Sequence, residues 1–184
     1  MLSQHGEDDS LALGWRDRHS QLVRFNALAT IANLNGKTVL DAGCGDGDLF
    51  AFLLERYPGL AAYCGVDFIP EMITAAGSRF TSPLASFWSV SFMAANLPVY
   101  DFVLASGSLN YASADPAYIY KAIGRLFELS RLGLGFNLLR TVACEGLLVA
   151  YDPDDIVAYC QTLSDNVVLM ANYDAEDFTV LVYR

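Results

Sequence analysis

This chain is poor in the residues that build metal centres and disulfide frameworks. Of 184 residues only two are histidine, His5 and His19, and four are cysteine. Cys44, Cys64, Cys144 and Cys160 stand far apart with no CxxC pair. Free thiols in a reducing compartment are therefore expected, and a structural zinc site is not. Positive charge is scarce as well: 11 Lys and Arg stand against 21 Asp and Glu, a net charge of −10. Such a surface repels phosphate backbones and anionic lipid heads, which argues against nucleic acid or a membrane as partner. The few neighbouring basic residues, Arg16, Arg18 and Arg24, read as a solvated helix face. A bilayer-spanning run is missing too. The longest stretch without charge, between Arg79 and Asp101, is interrupted by Pro83, Asn96, Pro98 and several serines. Residues 1–10 are polar and acidic, without the basic start and apolar run of a leader. A soluble, cytoplasmic protein is the expectation.

Apolar material is plentiful, at 54% hydrophobic and 12% aromatic residues. That excludes disorder and allows a sizeable core. The length suits one domain, residues 1–184, read as a helical lid segment over 1–33 followed by a core over 34–184. Short β-branched or aromatic runs alternate with helical stretches, the pattern of an α/β fold. Helices are expected over Arg16–Ala32, Asp48–Tyr57, Pro70–Arg79, Asp115–Leu129 and Asp152–Thr162. Strands are expected over Lys37–Ala42, Ala62–Asp67, Phe87–Phe92, Tyr100–Ser106, Leu132–Leu139, Val167–Tyr173 and Phe178–Tyr183. The last two follow one another with no helix between them. A hairpin-like ending adds an antiparallel strand to an otherwise parallel sheet. The expected fold is thus a doubly wound, mostly parallel seven-stranded sheet with one antiparallel strand near the C-terminus and helices on both faces.

The first strand runs into Asp41-Ala42-Gly43-Cys44-Gly45-Asp46-Gly47. Glycine at such a turn permits positive φ and removes side-chain bulk where a ligand lies against backbone. Dinucleotide-binding proteins use a glycine-rich turn too, so the turn alone does not choose the ligand. Charge does. Asp41, Asp46 and Asp48 surround the loop, and no Lys or Arg lies between Lys37 and Arg56. A pyrophosphate meets repulsion here, and Asp48 occupies the place of the third dinucleotide-binding glycine. The second strand ends at Asp67, about 20 residues on, the spacing at which an acid meets a ribose diol.

The segment Val39–Gly47 resembles the D-x-G-x-G-x-G signature of class I S-adenosylmethionine-dependent methyltransferases. The cofactor implied is S-adenosyl-L-methionine, which has no phosphate and carries an ammonium and a sulfonium. The resemblance implies that Asp41, Gly43, Cys44 and Gly45 line its site and that Asp67 takes its ribose. Phe68 and Met72 can pack on its adenine. The family often places an adenine-binding acid at the end of the third strand. That position is Ser91 here, with the Phe92 backbone N–H as a second adenine contact. The fourth strand resembles the family's next motif, so Ser106 at its end faces the methionine part. Gly107-Ser108-Leu109-Asn110-Tyr111 then border the methyl group, with Asn110 and Tyr111 as substrate candidates. The N-terminal segment, which can fold over the cofactor in this family, offers Trp15, Gln21 and Arg24 for the substrate. Gly135-Phe136-Asn137, Tyr151-Asp152-Pro153 and Phe178-Thr179-Val180 resemble small bacterial members.

The function implied is methyl transfer by in-line displacement to a small-molecule acceptor. No side chain presents itself as a catalytic base, since His5 and His19 both read as surface or packing residues. Two alternatives stand beside this reading: a nicotinamide-dependent oxidoreductase, and a non-catalytic binding or partner subunit that kept the fold. The acceptor and the oligomeric state are not encoded in any motif.

Overall fold

A computed structural model describes residues 18–142 and 146–184. His5, Trp15, Arg16 and Cys144 lie outside the described residues. The elements in chain order are α1 (Arg18–Ala29), β1 (Thr38–Ala42), α2 (Asp48–Arg56), β2 (Ala62–Asp67), α3 (Pro70–Arg79), β3 (Ala85–Ser89), β4 (Tyr100–Ala105), α4 (Tyr118–Glu128), β5 (Ser130–Leu139), α5 (Pro153–Gln161), β6 (Val167–Met170) and β7 (Asp177–Tyr183).

The seven strands form one sheet in the order β3-β2-β1-β4-β5-β7-β6. Strands β1 to β5 are parallel, and β7 runs antiparallel to both β5 and β6. This is the expected sheet. The order reverses between β1 and β4, because the chain lays β2 and β3 on one side of β1 and then crosses to the other. A ligand crevice forms at such a reversal, beyond the carboxyl ends of the strands.

Alternation along the strands feeds two cores. Leu40, Ala42, Val66, Val103, Phe136 and Val180 pack under α4 and α5, against Ile119, Ile123, Leu126 and Ile156. Val39, Tyr63, Phe102, Leu104 and Leu181 pack under α1 and α2, against Phe25, Leu28, Phe50 and Leu53. Helix α1 is therefore part of the domain core, although it falls within the segment expected to act as a lid. Asp152 starts α5, its carboxylate accepting from the Asp154 N–H at 2.8 Å with Pro153 in the first turn.

Several boundaries differ from the sequence expectation; β6, for one, ends at Met170 rather than Tyr173. Strand β3 spans Ala85–Ser89 rather than Phe87–Phe92. It pairs with β2 through Tyr63↔Ala85 to Asp67↔Ser89, so pairing ends where β2 ends. Helix α4 begins at Tyr118, not Asp115. Asp115 instead holds the preceding turn, its carboxylate accepting from the Ala117 N–H at 2.9 Å.

Candidate functional site

A cavity of about 410 Å³ opens at the carboxyl ends of β1, β2 and β4. Its floor is the turn after β1. Gly43, Gly45 and Gly47 all adopt positive φ, at 82°, 53° and 89°. A Cβ on Gly43 would lie 2.1 Å from the Ser108 Cβ, and one on Gly47 would lie 2.8 Å from the Phe80 ring. These two glycines are thus required by the protein's own packing: one lets the segment after β4 close over the turn, the other lets an aromatic cluster fill in below it. That cluster joins Phe50, Tyr63, Phe80 and Phe87, with Phe50–Tyr63 centroids 4.8 Å apart.

The hydrogen bonding of the turn decides what charge it welcomes. A phosphate-binding loop presents free backbone N–H groups to its ligand. Here the N–H groups of Gly43 and Cys44 both donate to the Val66 carbonyl, at 2.8 and 3.1 Å, and Gly47 donates to Cys44 at 3.0 Å. The Gly45 N–H donates to Asp67 Oδ2 at 3.1 Å. With these four donors committed, a pyrophosphate would meet carboxylates at the turn itself.

Two carboxylates face the cavity with capacity to spare. Asp67 accepts from Gly45 on one oxygen and from the Ile69 N–H, at 2.9 Å, on the other. A carboxylate oxygen has two acceptor sites, so each retains one for a ligand hydroxyl. Asp41 is 1% exposed. One of its oxygens accepts from the Tyr63 hydroxyl, and the other is buried with no partner. Burial pushes its pKa up to about 7, against the Tyr63 hydrogen bond, with the Asp67 charge adding to the rise. A donor or cation in the cavity would satisfy the unpartnered oxygen.

Beyond these, Phe68 and Met72 line the cavity, as do Ser91 and Phe92. Ser91 does so from the turn after β3, not from the strand end, because β3 stops at Ser89 and the Val90 N–H caps the Asp67 carbonyl at 2.9 Å. Cys44 lines the cavity as a buried free thiol whose pKa burial drives upward, so it is no nucleophile. Cys64 and Cys160 are also free and buried. Ser106 and Tyr111 are at the cavity, and so is Gln21, which donates from α1 to Asp48 at 3.0 Å.

Two residues expected at the substrate are placed elsewhere. Arg24 points along α1 to the start of β7 and forms an ion pair with buried Asp177. Asn110 is 3% exposed and braces its loop, donating to the Val149 carbonyl at 3.0 Å. Conversely, sequence reasoning missed Tyr63, Tyr118 and Leu147, whereas Ser108, expected beside the methyl group, does line the cavity. Tyr63 was legible in principle, since it lies on the same face of β2 as Gly65, which pairs with Asp41. Leu147 and Tyr118 carried no signal, because their place depends on how two loops fold back.

Comparison with known proteins agrees with this geometry. The profile of the family described as "Methyltransferase domain" matches residues 39–129. A Mycobacterium tuberculosis protein, Rv1506c, named as an inferred methyltransferase, is 31% identical over 159 residues, covering 80% of this chain and 93% of its own. The chain belongs to the class I S-adenosylmethionine-dependent methyltransferases. A malonyl-[acyl-carrier protein] O-methyltransferase of Acetivibrio thermocellus is 32% identical over 90 residues, 47% of this chain and 31% of that protein. The fold recurs in magnesium protoporphyrin IX methyltransferase from Synechocystis with bound S-adenosylhomocysteine. There the TM-score is 0.74 at 18% identity, covering 98% of this chain and 90% of that one. It recurs also in the N-methyltransferase NodS of Bradyrhizobium japonicum with the same ligand, at TM-score 0.73 and 17% identity, covering 97% and 93%.

The methyltransferase site fits the family's cofactor, S-adenosylmethionine. An unpartnered buried carboxylate oxygen suits an ammonium, a carboxylate with two open acceptor positions suits a ribose diol, and the committed N–H groups match a ligand without phosphate. Among the described residues no cluster of His, Cys, Asp or Glu is placed to hold a metal, and no helix is long and apolar enough to cross a membrane.

Proposed function

We propose that this methyltransferase transfers the methyl group of S-adenosylmethionine to a small-molecule acceptor. The observation that carries the reading is the shape of the cavity. It starts at the glycine turn and Asp67, and it continues past Ser106 and Ser108 to a wall of Tyr111, Tyr118 and Leu147. Cofactor and acceptor ends are thereby joined within a space of about 410 Å³, in the usual range for small-molecule sites.

Bound there, the cofactor supplies a methyl carbon on a sulfonium that departs as a neutral thioether, so the leaving group needs no acid. Asp67 takes the ribose, and Phe68, Met72, Ser91 and Phe92 enclose the adenine. The Asp41 carboxylate draws the ammonium towards β1. Helix α1 roofs the cavity with Phe25 and Gln21 and narrows the path for water. The chain's contribution is alignment of two reactants in a water-poor space. The net charge of −10 and the cavity's carboxylates support a small acceptor over a nucleic acid. Free thiols at Cys44, Cys64 and Cys160 fit a cytoplasmic location.

Calorimetry tests the reading. S-adenosylmethionine and S-adenosylhomocysteine should both bind, and NAD should not. Asp67→Ala should weaken S-adenosylhomocysteine binding by about 1–3 kcal/mol, because two ligand hydroxyls lose their acceptor. Unchanged affinity would remove Asp67 from the site. Binding of neither nucleoside would leave a partner subunit that kept the fold.

A further inference from the structure

We infer that the acceptor has an apolar body, presents an N–H or O–H group and carries no anionic group, and that Ser106 holds that group by accepting its hydrogen bond. The inference rests on the methyltransferase reading above and names the substrate class of the same site.

Strand order separates the two ends of the cavity. Asp67 to Met72 and Val90 to Phe92 follow β2 and β3, on one side of β1. Ser106, Ser108, Tyr111 and Tyr118 follow β4, on the other side, and Leu147 joins them. No Lys, Arg or His among the described residues lines the cavity, while Asp41, Asp46, Asp48 and Asp67 do. A carboxylate or phosphate on the acceptor would lose its water with no counter-charge to replace it and would face like charge. The wall itself is apolar. Leu147 is 71% exposed although it faces the cavity, so it has surface left for an apolar ligand to cover.

The hydroxyls at this end have their polarity fixed from behind. Ser106 Oγ donates to Asn137 Oδ1 at 2.9 Å. The Asn137 amide is held in that sense because its Nδ2 donates to Thr179 Oγ1 at 2.6 Å and reaches the Tyr173 hydroxyl at 3.4 Å. The Tyr173 and Thr179 hydroxyls are themselves bonded at 2.7 Å. Asn137 and Thr179 face one another across β5 and β7 and are 1% and 0% exposed. Ser108 Oγ is committed likewise, donating to the Ala42 carbonyl at 2.5 Å. With both protons engaged, the two serines offer only lone pairs to the cavity. A ligand that bonds either serine must bring the donor. Its place after β4, beside Tyr111 and Tyr118, assigns Ser106 to the acceptor end rather than to the cofactor end to which the sequence motif points.

The test is titration of the full chain preloaded with S-adenosylhomocysteine. Indole and 2-naphthol should bind, 1-methylindole and 2-methoxynaphthalene should bind at least about fivefold more weakly, and 2-naphthoate should not bind, one hydrogen bond being worth about that factor. Ser106→Ala should abolish the preference for indole over 1-methylindole while S-adenosylhomocysteine affinity stays within about twofold. Thr179→Val, which leaves the cavity wall intact and frees the Asn137 amide to turn, should reduce the same preference. Leu147→Lys changes only an exposed side chain and should admit 2-naphthoate. Preferential binding of 2-naphthoate to the unmodified protein, binding of none of the probes, or a Ser106→Ala variant that loses S-adenosylhomocysteine yet keeps the preference would each overturn the inference. Those three outcomes leave the methyltransferase reading standing, because S-adenosylhomocysteine binds the unmodified protein in all of them. Failure to load S-adenosylhomocysteine at all removes both.

Discussion

Burial of the Asp41 carboxyl beside the Tyr63 hydroxyl, with its second oxygen unpartnered, makes the end of β1 sensitive to pH. Its folded pKa is pushed up to about 7 from the ordinary carboxylate value of 3.8, mainly by desolvation. A carboxyl with a raised folded pKa holds its proton in the native state where the unfolded chain has released it. Stability of the ligand-free protein therefore falls as pH rises from about 4 through 7. Asp177 adds to the same trend, since burial raises it to about 6 despite Arg24. Ligand binding runs the other way. A cationic ligand favours the ionised Asp41, so affinity for S-adenosylmethionine should climb between pH 6 and pH 8. Asp41→Asn keeps an acceptor for Tyr63 and cannot ionise. Urea titrations of this variant should show a shallower pH dependence, and calorimetry a flatter affinity profile. An unchanged slope in both would assign the dependence to other groups. The same scale explains the behaviour expected at Gly43. Alanine there meets a φ of 82° and the Ser108 Cβ at 2.1 Å. Gly43→Ala should cost at least about 2 kcal/mol of stability. Ser108→Gly should recover part of that loss in the double variant, because it relieves the clash and leaves the dihedral strain. Purely additive losses would show that the two residues do not collide.

Helix α1 is held to the sheet at the element scale by apolar packing and by one buried ion pair. Phe25, Leu28 and Ala29 are buried, and Arg24 reaches Asp177 at the start of β7 with side-chain exposures of 11% and 2%. Arg24→Met leaves a buried carboxylate without its cation and should cost about 3 kcal/mol at pH 8. The cost should shrink below pH 6. Asp177 already titrates near 6 with Arg24 present, its pKa rises further without it, and a neutral carboxyl tolerates burial. Urea denaturation at the two pH values checks this, and equal costs would mean that the pair contributes no charge interaction. Arg24 and Gln21 lie three residues apart near one edge of the helix, and both were expected at the substrate. Only the position of β7, the strand that returns antiparallel between β5 and β6, takes Arg24 away from the cavity. The strands and the glycine turn were legible because each is a local pattern: apolar runs, a break, an acid at the right distance. The place of Asp67 at the cavity was legible from its spacing beyond the turn together with the family resemblance. The extent of β3 was not legible, because apolar Val90 and Phe92 continue the strand pattern and only pairing with β2 ends it at Ser89. Tyr118, Leu147 and the Ser106–Asn137–Thr179 chain were not legible either. Each joins segments distant in sequence, and no periodicity records which loops meet.

At the scale of the whole molecule, the charge of −10 surrounds a cavity whose described lining holds four carboxylates and no cation. Arg79 partly balances that field from outside, bonding Asp46 and Asp48 across the rim. What remains attracts a cation. S-adenosylmethionine carries sulfonium and ammonium against one carboxylate, a net positive charge, whereas its demethylated product is neutral overall. Long-range attraction should therefore speed capture of the cofactor and do little for the product. It should also fade as added salt shortens the screening length from about 30 Å at 0.01 M to about 8 Å at 0.15 M. Stopped-flow measurement should show the association rate of S-adenosylmethionine falling severalfold over that range, with a much smaller change for S-adenosylhomocysteine. Dissociation rates should change little, since the contacts proposed for Asp41 and Asp67 would be made within the cavity, where salt screens weakly. Equal salt slopes for the two ligands would mean that Arg79 and solvent already cancel the field at the mouth. Selection of the charged cofactor over its spent form would then rest on contacts made after entry.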